Sequence, residues 1–239
     1  MRDILHSSET EGIVYGNSGG KDSALVGILC KAACENTVGI LMPCGSKRNY
    51  ETDMRDAQAL AEHFQINARC VDLSSIKAEL VNSIAEVSGM TESACANIAP
   101  RLRMATLYAI ATAENRLVAG TGNRSEGYMG YFTKWGDGAY DFNPIADLTV
   151  TEVYEFLRFL GAPEFIMKKA PSAGLFDGQT DESEMGITYR KIDEYLLDGT
   201  AGQRDMRIIE TFHGKSVHKR QMPILYGSAN WRNNTGNKA

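Results

Sequence analysis

The stretch Gly16 to Ser23, GNSGGKDS, joins two apolar runs, Ile13-Val14-Tyr15 before it and Ala24 to Leu29 after it. An ordinary turn needs only one or two small polar residues. Three glycines, two serines, a lysine and an aspartate in eight positions describe a backbone shaped to meet a ligand. GIVYG, residues 12 to 16, reads as a strand, and Ser23 to Ala33 as a helix. A glycine-rich loop at such a junction offers backbone N–H groups and the positive end of a helix dipole to an anion. Gly16, Asn17, Gly19 and Gly20 supply backbone, Ser18 and Ser23 hydroxyl donors, and Lys21 a cation. Asp22 would repel phosphate, and its simplest role is to hold a Mg2+ that bridges to phosphate oxygens. Two familiar phosphate loops do not fit: Lys-Asp-Ser breaks the Lys-Ser step of a Walker A loop, and GxGxxG spacing is absent.

The surrounding pattern fixes the architecture. VGILMPCG (38 to 45), ARCVDL (68 to 73) and RLVAGTGN (116 to 123) read as further strands. DMRDAQALAEHF (53 to 64) and PRLRMATLYAIATAEN (100 to 115) have helical patterns, the latter with Pro100 in its first turn. Alternating β and α predicts an α/β fold, a doubly wound parallel sheet with flanking helices, and one domain over residues 1–239. Ligands bind such sheets at the carboxyl ends of the strands, where the strand order reverses. In the second half, residues 127 to 144, rich in glycine and aromatics, read as an ordered loop, and Leu148 to Leu160 as a helix. Residues 168 to 186 lack either period and read as a functional lid or a disordered loop. Residues 187 to 197 form an amphipathic helix, and the tail 227–239 is expected to fray.

A net charge of −5 argues against a general nucleic-acid binder. The longest apolar runs are too short to cross a bilayer, and the start MRDILHSSETEG has no signal-peptide core, so a cytoplasmic protein without membrane contact is expected. The five cysteines, Cys30, Cys34, Cys44, Cys70 and Cys95, form no CxxC pair and read as reduced structural thiols rather than a zinc site.

SGGKDS resembles the pyrophosphate loop of the N-type ATP pyrophosphatases, which split ATP between the α and β phosphates and adenylate a substrate. Further stretches resemble the ammonia-dependent NAD synthetase family: MPCGS (42 to 46), NIAPRLRMATLYAIA (97 to 111), VAGTGNRSEGYMGYFTKWGDGAYDFNPIADL (118 to 148), KKAPSAGLFDGQTDE (168 to 182), GITYRKIDEYL (186 to 196) and HKRQMP (218 to 223). The resemblance implies an adenine nucleotide alpha hydrolase-like fold, with ATP as co-substrate and Mg2+ held by Asp22 and Glu126. It places Met42, Thr121 and Ser172 at ATP along with the 16–23 loop. It places Arg101, Lys134, Asp141, His218 and Lys219 at deamido-NAD+. Each has a plainer reading: Lys134, His218 and Lys219 as surface groups, Asp141 as a turn former, Glu126 as a helix cap. Tyr128, Tyr131, Phe132 and Trp135 read as core aromatics or as a stacking wall.

The implied reaction has two steps. The nicotinate carboxylate attacks the α-phosphorus and pyrophosphate leaves. Ammonia then displaces AMP to give NAD+. No glutamine-hydrolysing segment is recognisable, so ammonia is expected from solution or from an unseen partner. Three features depart from the family. A lysine usually stands two residues beyond Leu148, where this chain has Val150, and Lys21 stands where an uncharged residue is usual. One hypothesis is that Lys21 partly supplies the missing cation. Only about twelve residues precede the first strand, where a further helix usually contributes to a homodimer; a homodimer is still expected. Two rival readings follow: a sister ligase that amidates another carboxylate, and a nucleotide-binding homologue with impaired catalysis.

Overall fold

The computed structural model describes residues 1–45, 52–168 and 181–223. Four parallel strands form one sheet: β1 (Gly12–Gly16), β2 (Thr37–Leu41), β3 (Asn67–Cys70) and β4 (Arg116–Ala119), in the order β3-β2-β1-β4. Val14 pairs with Val38 on one side and with Val118 on the other. The chain builds outward from β1 to β3, then returns to add β4 on the opposite side of β1. The order therefore reverses between β1 and β4, and their carboxyl ends open the crevice where ligands of such sheets bind.

Side-chain alternation along β1 divides the core. Ile13 and Tyr15 face one layer, where α2 (Lys21–Ala33), α3 (Met54–His63) and α7 (Val150–Phe159) supply Leu25, Leu60, Val153 and Leu157. Val14 faces the other layer with Val38, Ile40 and Val118, packed against Ala99 and Ala111 of α5 (Glu92–Ala113). Burying each such Leu or Val contributes about 1.5–3 kcal/mol. A third cluster joins α6 (Arg124–Met129), α7, α9 (Asp181–Met185), α10 (Tyr189–Asp198) and α11 (Gln203–Lys215) through Met129, Val150, Met185, Tyr189, Ile192 and Ile209.

Several boundaries differ from the sequence reading. Pro100 is not in a first turn. It lies inside α5, whose N-cap is Thr91, with its hydroxyl accepting from Ala94 N at 3.1 Å. Packing of the buried α5 face outweighs the hydrogen bond that a proline omits. The strands at 38–45, 68–73 and 116–123 are shorter than expected; after β2 and β4 the chain turns off to line a cavity with Met42, Pro43 and residues 120–122. Residues 124–129, partly assigned to a loop, are α6, and 181–185 are helical rather than loop. The helices α1 (Arg2–Ser7), α4 (Ser74–Ala85), α8 (Glu164–Met167), α11 and α12 (Val217–Arg220) were not anticipated. The expected frayed tail, 227–239, lies outside the described residues. Among the described residues no helix is long and apolar enough to cross a membrane. All five cysteines are free thiols, and no cluster of three metal-ligating side chains occurs among the described residues.

Candidate active site

A cavity of about 670 Å3 opens at the β1/β4 reversal. The loop after β1 forms its floor. Gly19 has φ +69°, a conformation that side chains other than glycine's adopt at a cost, and a Cβ there would stand 2.4 Å from the backbone oxygen of Asp53. The serines and asparagine brace the loop from within. Ser18 and Ser23 hydroxyls lie 3.0 Å apart, Gly20 N donates to Ser18 Oγ at 3.3 Å, and buried Asn17 donates through Nδ2 to Ala57 O at 3.1 Å. The first-turn N–H groups of α2 have no carbonyl one turn back and point to the cavity end of the helix. Met42, at the end of β2, and Thr121, after β4, line the same cavity. Ser172 lies outside the described residues, as does most of the expected lid.

Asp22 and Glu126 come together from the two loops that flank the reversal. Both line the cavity. Asp22 accepts from Asn123 Nδ2 at 3.1 Å and from Lys21 Nζ at 2.6 Å. Asn123 is the N-cap of α6, and Glu126 completes a capping box by accepting from Asn123 N at 3.1 Å. The capping role and the proposed metal role thus coexist in one side chain. Glu126 lies deep in the cavity, with only part of its surface open to solvent. Burial, then the charge of Asp22, pushes its pKa up to about 8, while Lys21 and the Asn123 N–H pull the other way. Two hard-oxygen carboxylates that repel each other in a cavity suit a divalent cation, which would relieve that repulsion.

Lys21 is 5% exposed. Besides its bond to Asp22, its ammonium lies 6.0 Å from the ring centre of Tyr154 and 5.7 Å from that of Tyr189. Burial alone would lower its pKa, but the charges of Asp22 and Glu126 hold it above the ordinary lysine value. Tyr189 in turn donates to Asp181 Oδ2 at 3.1 Å.

The residues expected at deamido-NAD+ divide into two places. Arg101 donates to Lys134 O at 3.3 Å, and Lys134 Nζ donates to His218 O at 2.6 Å. The adjacent Lys219 donates to Gly130 O at 2.9 Å and Phe132 O at 2.7 Å, and lines the cavity. These four form one basic flank, of which Lys219 lines the cavity and Arg101, Lys134 and His218 lie outside its lining. Asp141 stands apart: its carboxylate accepts from Val118 N at 2.7 Å and from Tyr108 OH at 3.2 Å. Tyr131 and Phe132 line the cavity, whereas Tyr128 stacks on His213 with ring centres 4.0 Å apart. Trp135 is exposed beneath the Lys134 ammonium.

Sequence reasoning missed Arg103 and Asp181 in the cavity wall. Arg103 Nε donates to Met42 O at 3.1 Å, tying α5 to the end of β2. Asn97, Pro100, Arg103, Met104 and Leu107 line the cavity from one face of α5. That face is legible as helical spacing once the helix begins before Asn97. Arg101, on another face of α5, is the arginine that the family resemblance singles out.

Comparison with known proteins agrees with this geometry. The family model described as NAD synthase matches residues 1–223. The NH(3)-dependent NAD(+) synthetase of Carboxydothermus hydrogenoformans is 47% identical over 226 residues, covering 93% of this chain and 92% of the relative. The structure of NMN synthetase from Francisella tularensis superposes with a TM-score of 0.89 at 37% identity, covering 95% of this chain and 94% of that one. The NH3-dependent NAD synthetase from Campylobacter jejuni, solved with nitrate, gives a TM-score of 0.75 at 32% identity, covering 94% and 93%. On the match over residues 1–223, this chain belongs to the NAD synthase family.

Proposed function

We infer that the protein is an ammonia-dependent NAD+ synthetase, a carbon–nitrogen ligase that converts deamido-NAD+, ATP and ammonia to NAD+, AMP and pyrophosphate. The observation that carries this reading is the meeting of the Gly16–Ser23 loop with Asp22 and Glu126 at the β1/β4 reversal, in a chain that matches the family along nearly its whole length.

A carboxylate cannot be amidated directly, because oxide is not a viable leaving group. In the first step a nicotinate oxygen bonds to the α-phosphorus, and the α–β bridging bond breaks with its electron pair on pyrophosphate. The loop and the α2 N-terminus stabilise that departing charge. Asp22 and Glu126 would hold Mg2+, which neutralises phosphate charge when bound. In the second step ammonia bonds to the acyl carbon and loses a proton, and AMP leaves with the acyl–oxygen electron pair. Lys219, with Lys134 and His218 beside it, offers donors for the acid substrate. Tyr131 and Phe132 offer faces for an aromatic ring.

The test is to mix the purified protein with ATP, Mg2+, ammonium and deamido-NAD+. NAD+, AMP and pyrophosphate in equal amounts are expected, and absence of NAD+ overturns the reading. A second reading, amidation of the mononucleotide acid, draws on the higher TM-score to the protein named NMN synthetase. A higher kcat/KM for nicotinate mononucleotide than for deamido-NAD+ would favour it. A homodimer is also proposed. Ile76 and Leu80, one turn apart on the otherwise exposed α4, are 50% and 38% exposed and suit a subunit contact. A monomer by light scattering would remove this part.

A further inference from the structure

The buried face of α10 runs through Tyr189, Ile192, Asp193 and Leu196, at the i, i+3, i+4, i+7 spacing of an apolar stripe. Asp193 puts a carboxylate into that stripe, where it is 2% exposed. A carboxylate is costly to bury unless donors surround it. Its donors come from two other helices. Oδ1 accepts from Ser125 Oγ on α6 at 2.5 Å. Oδ2 accepts from the backbone N and the hydroxyl of Thr151 on α7, at 2.8 and 2.7 Å. Ser125 Oγ accepts in turn from Val150 N at 3.3 Å. Ser125 and Thr151 are the second residues of their helices. The first-turn N–H groups of α7 have no partner within the helix, and Asp193 answers one of them from across the fold.

The network bears on the cavity through Ser125 alone. Glu126 is the next residue of α6, about 100° further round the helix. Ser125 turns to α10, and Glu126 turns to the cavity, beside the Asn123 amide that bonds Asp22. Arg124 makes a second tie, its guanidinium donating to Leu196 O of α10 at 3.0 Å. A helix of six residues is marginal by itself, so its neighbours set its orientation. With Arg124 and Ser125 both held by α10, α6 cannot rotate about its axis without breaking a bond, and Glu126 would swing with any such rotation. Among the described residues neither α7 nor α10 lends a side chain to the cavity lining. The Thr151 bonds therefore end in the scaffold, whereas the Ser125 bond ends one residue from the site.

We propose that Asp193 is a positioning residue which, through Ser125, holds Glu126 in place beside Asp22. Asp193 itself touches neither substrate nor metal. Ligand groups must be held to within about 0.5 Å of their working geometry by side chains whose own rotamers are locked, and the Asp193–Ser125 bond locks the turn that carries Glu126. The role rests on the reading of Asp22 and Glu126 as the carboxylates for a divalent cation.

The test compares two variants of the full chain, each lacking one hydroxyl donor to the same carboxylate. Ser125→Ala removes the donor on α6 and Thr151→Val the one on α7. Mn2+ alone is the probe, since it takes the oxygen ligands that suit Mg2+. It is titrated into each variant, and free Mn2+ is read by electron paramagnetic resonance. Steady-state kinetics and melting temperatures are measured alongside, and Glu126→Gln marks loss of the site. Ser125→Ala is expected to weaken Mn2+ binding about tenfold and to lower kcat about tenfold, with KM for the acid within about twofold. Thr151→Val should melt lower by a similar amount yet stay within about twofold of the parent in Mn2+ affinity and kcat. Asp193→Ala should match Ser125→Ala in Mn2+ affinity, and adding it to Ser125→Ala should cost less than about twofold more, because the path is already cut. Should Asp193→Ala not fold, the two hydroxyl variants decide alone. Parent-like Mn2+ binding in Ser125→Ala, or equal losses in Ser125→Ala and Thr151→Val, overturns the proposal and leaves the metal reading standing. Mn2+ binding unchanged in Glu126→Gln overturns the metal reading and the proposal with it.

Discussion

The loop end of the cavity, proposed to take the phosphates, and the basic flank are built in opposite ways. At the loop end, eight consecutive residues, a positive-φ glycine and a capping box fix the polar groups on the ends of β1, α2 and α6. Their side chains bond to one another, as Ser18 to Ser23 and Asn123 to Asp22, and to the backbone of the same loops, as Ser18 to Gly20 N and Glu126 to Asn123 N. On the flank, Arg101, Lys134 and Lys219 come from distant segments and bond to backbone carbonyls of their neighbours. The first arrangement is pre-organised for charge that develops in a reaction. The second consists of long side chains that a substrate can recruit by exchanging one carbonyl partner for a carboxylate or phosphate. Substitutions at the first end should therefore cost turnover, and on the flank affinity.

The largest effect is expected from Gly19→Ala. The added Cβ meets Asp53 O at 2.4 Å, and the residue must hold φ +69°. Because the obstacle is backbone on the approach to α3, it cannot rotate away. A loss of about 2–4 kcal/mol in denaturant unfolding is expected, with pyrophosphate release down at least about 100-fold. Parent-like turnover would show that the loop is pliable and would break the contrast at its stronger end.

Glu126→Gln tests the electrostatics of the same end. The folded pKa of Glu126, about 8, lies above its ordinary 4.5. The stability this group contributes is full below pH 4.5 and is lost as pH rises toward 8. The glutamine variant has no such loss. Without divalent cations, its melting temperature relative to the parent should therefore rise between pH 4.5 and 8 and level off above that. Mg2+ should then stabilise the parent more than the variant. A difference that does not change with pH would mean the carboxyl is not held in the cavity as described.

The same contrast explains what could be read from the sequence. The loop end is contiguous, so GNSGGKDS announced both its loop and, through the β-α-β order, its place at the sheet reversal. Glu126 was legible through the family resemblance of residues 118 to 148, and its capping box with Asn123 forms after a three-residue connection that leaves β4. Helices α4 and α11 escaped because they bury few or no residues and depend on tertiary neighbours for stability. Arg103 escaped because which face of α5 turns to the cavity is set by packing on the sheet, which no local pattern encodes. Asp141 was grouped with the flank from its motif. Its bonds to Val118 N and Tyr108 show a scaffold contact that no short-range pattern encodes.

On the flank, Lys134→Ala should raise KM for the acid substrate about tenfold and leave KM for ATP within about twofold. The Nζ bond to His218 O would be lost, but Lys134 lies in the rim rather than the core, so the melting temperature should change little. A matching rise in KM for ATP would merge the two ends of the cavity into one unit.

Asp141→Asn should have the smallest effect and decides on which side of the contrast this residue belongs. Its carboxylate accepts two hydrogen bonds, one from the backbone N–H of Val118 on β4. An amide keeps its oxygen for Val118 N and can donate through its NH2 to the Tyr108 hydroxyl, which then accepts, so both bonds persist but without the charge. A loss of about 1 kcal/mol in unfolding free energy is expected, with KM for ATP unchanged, because Asp141 does not line the cavity. Unchanged stability together with a raised KM for the acid would return Asp141 to the substrate flank. It would also mean that the bonds to Val118 and Tyr108 give way when substrate arrives, which is the behaviour assigned here to Lys134 and Lys219.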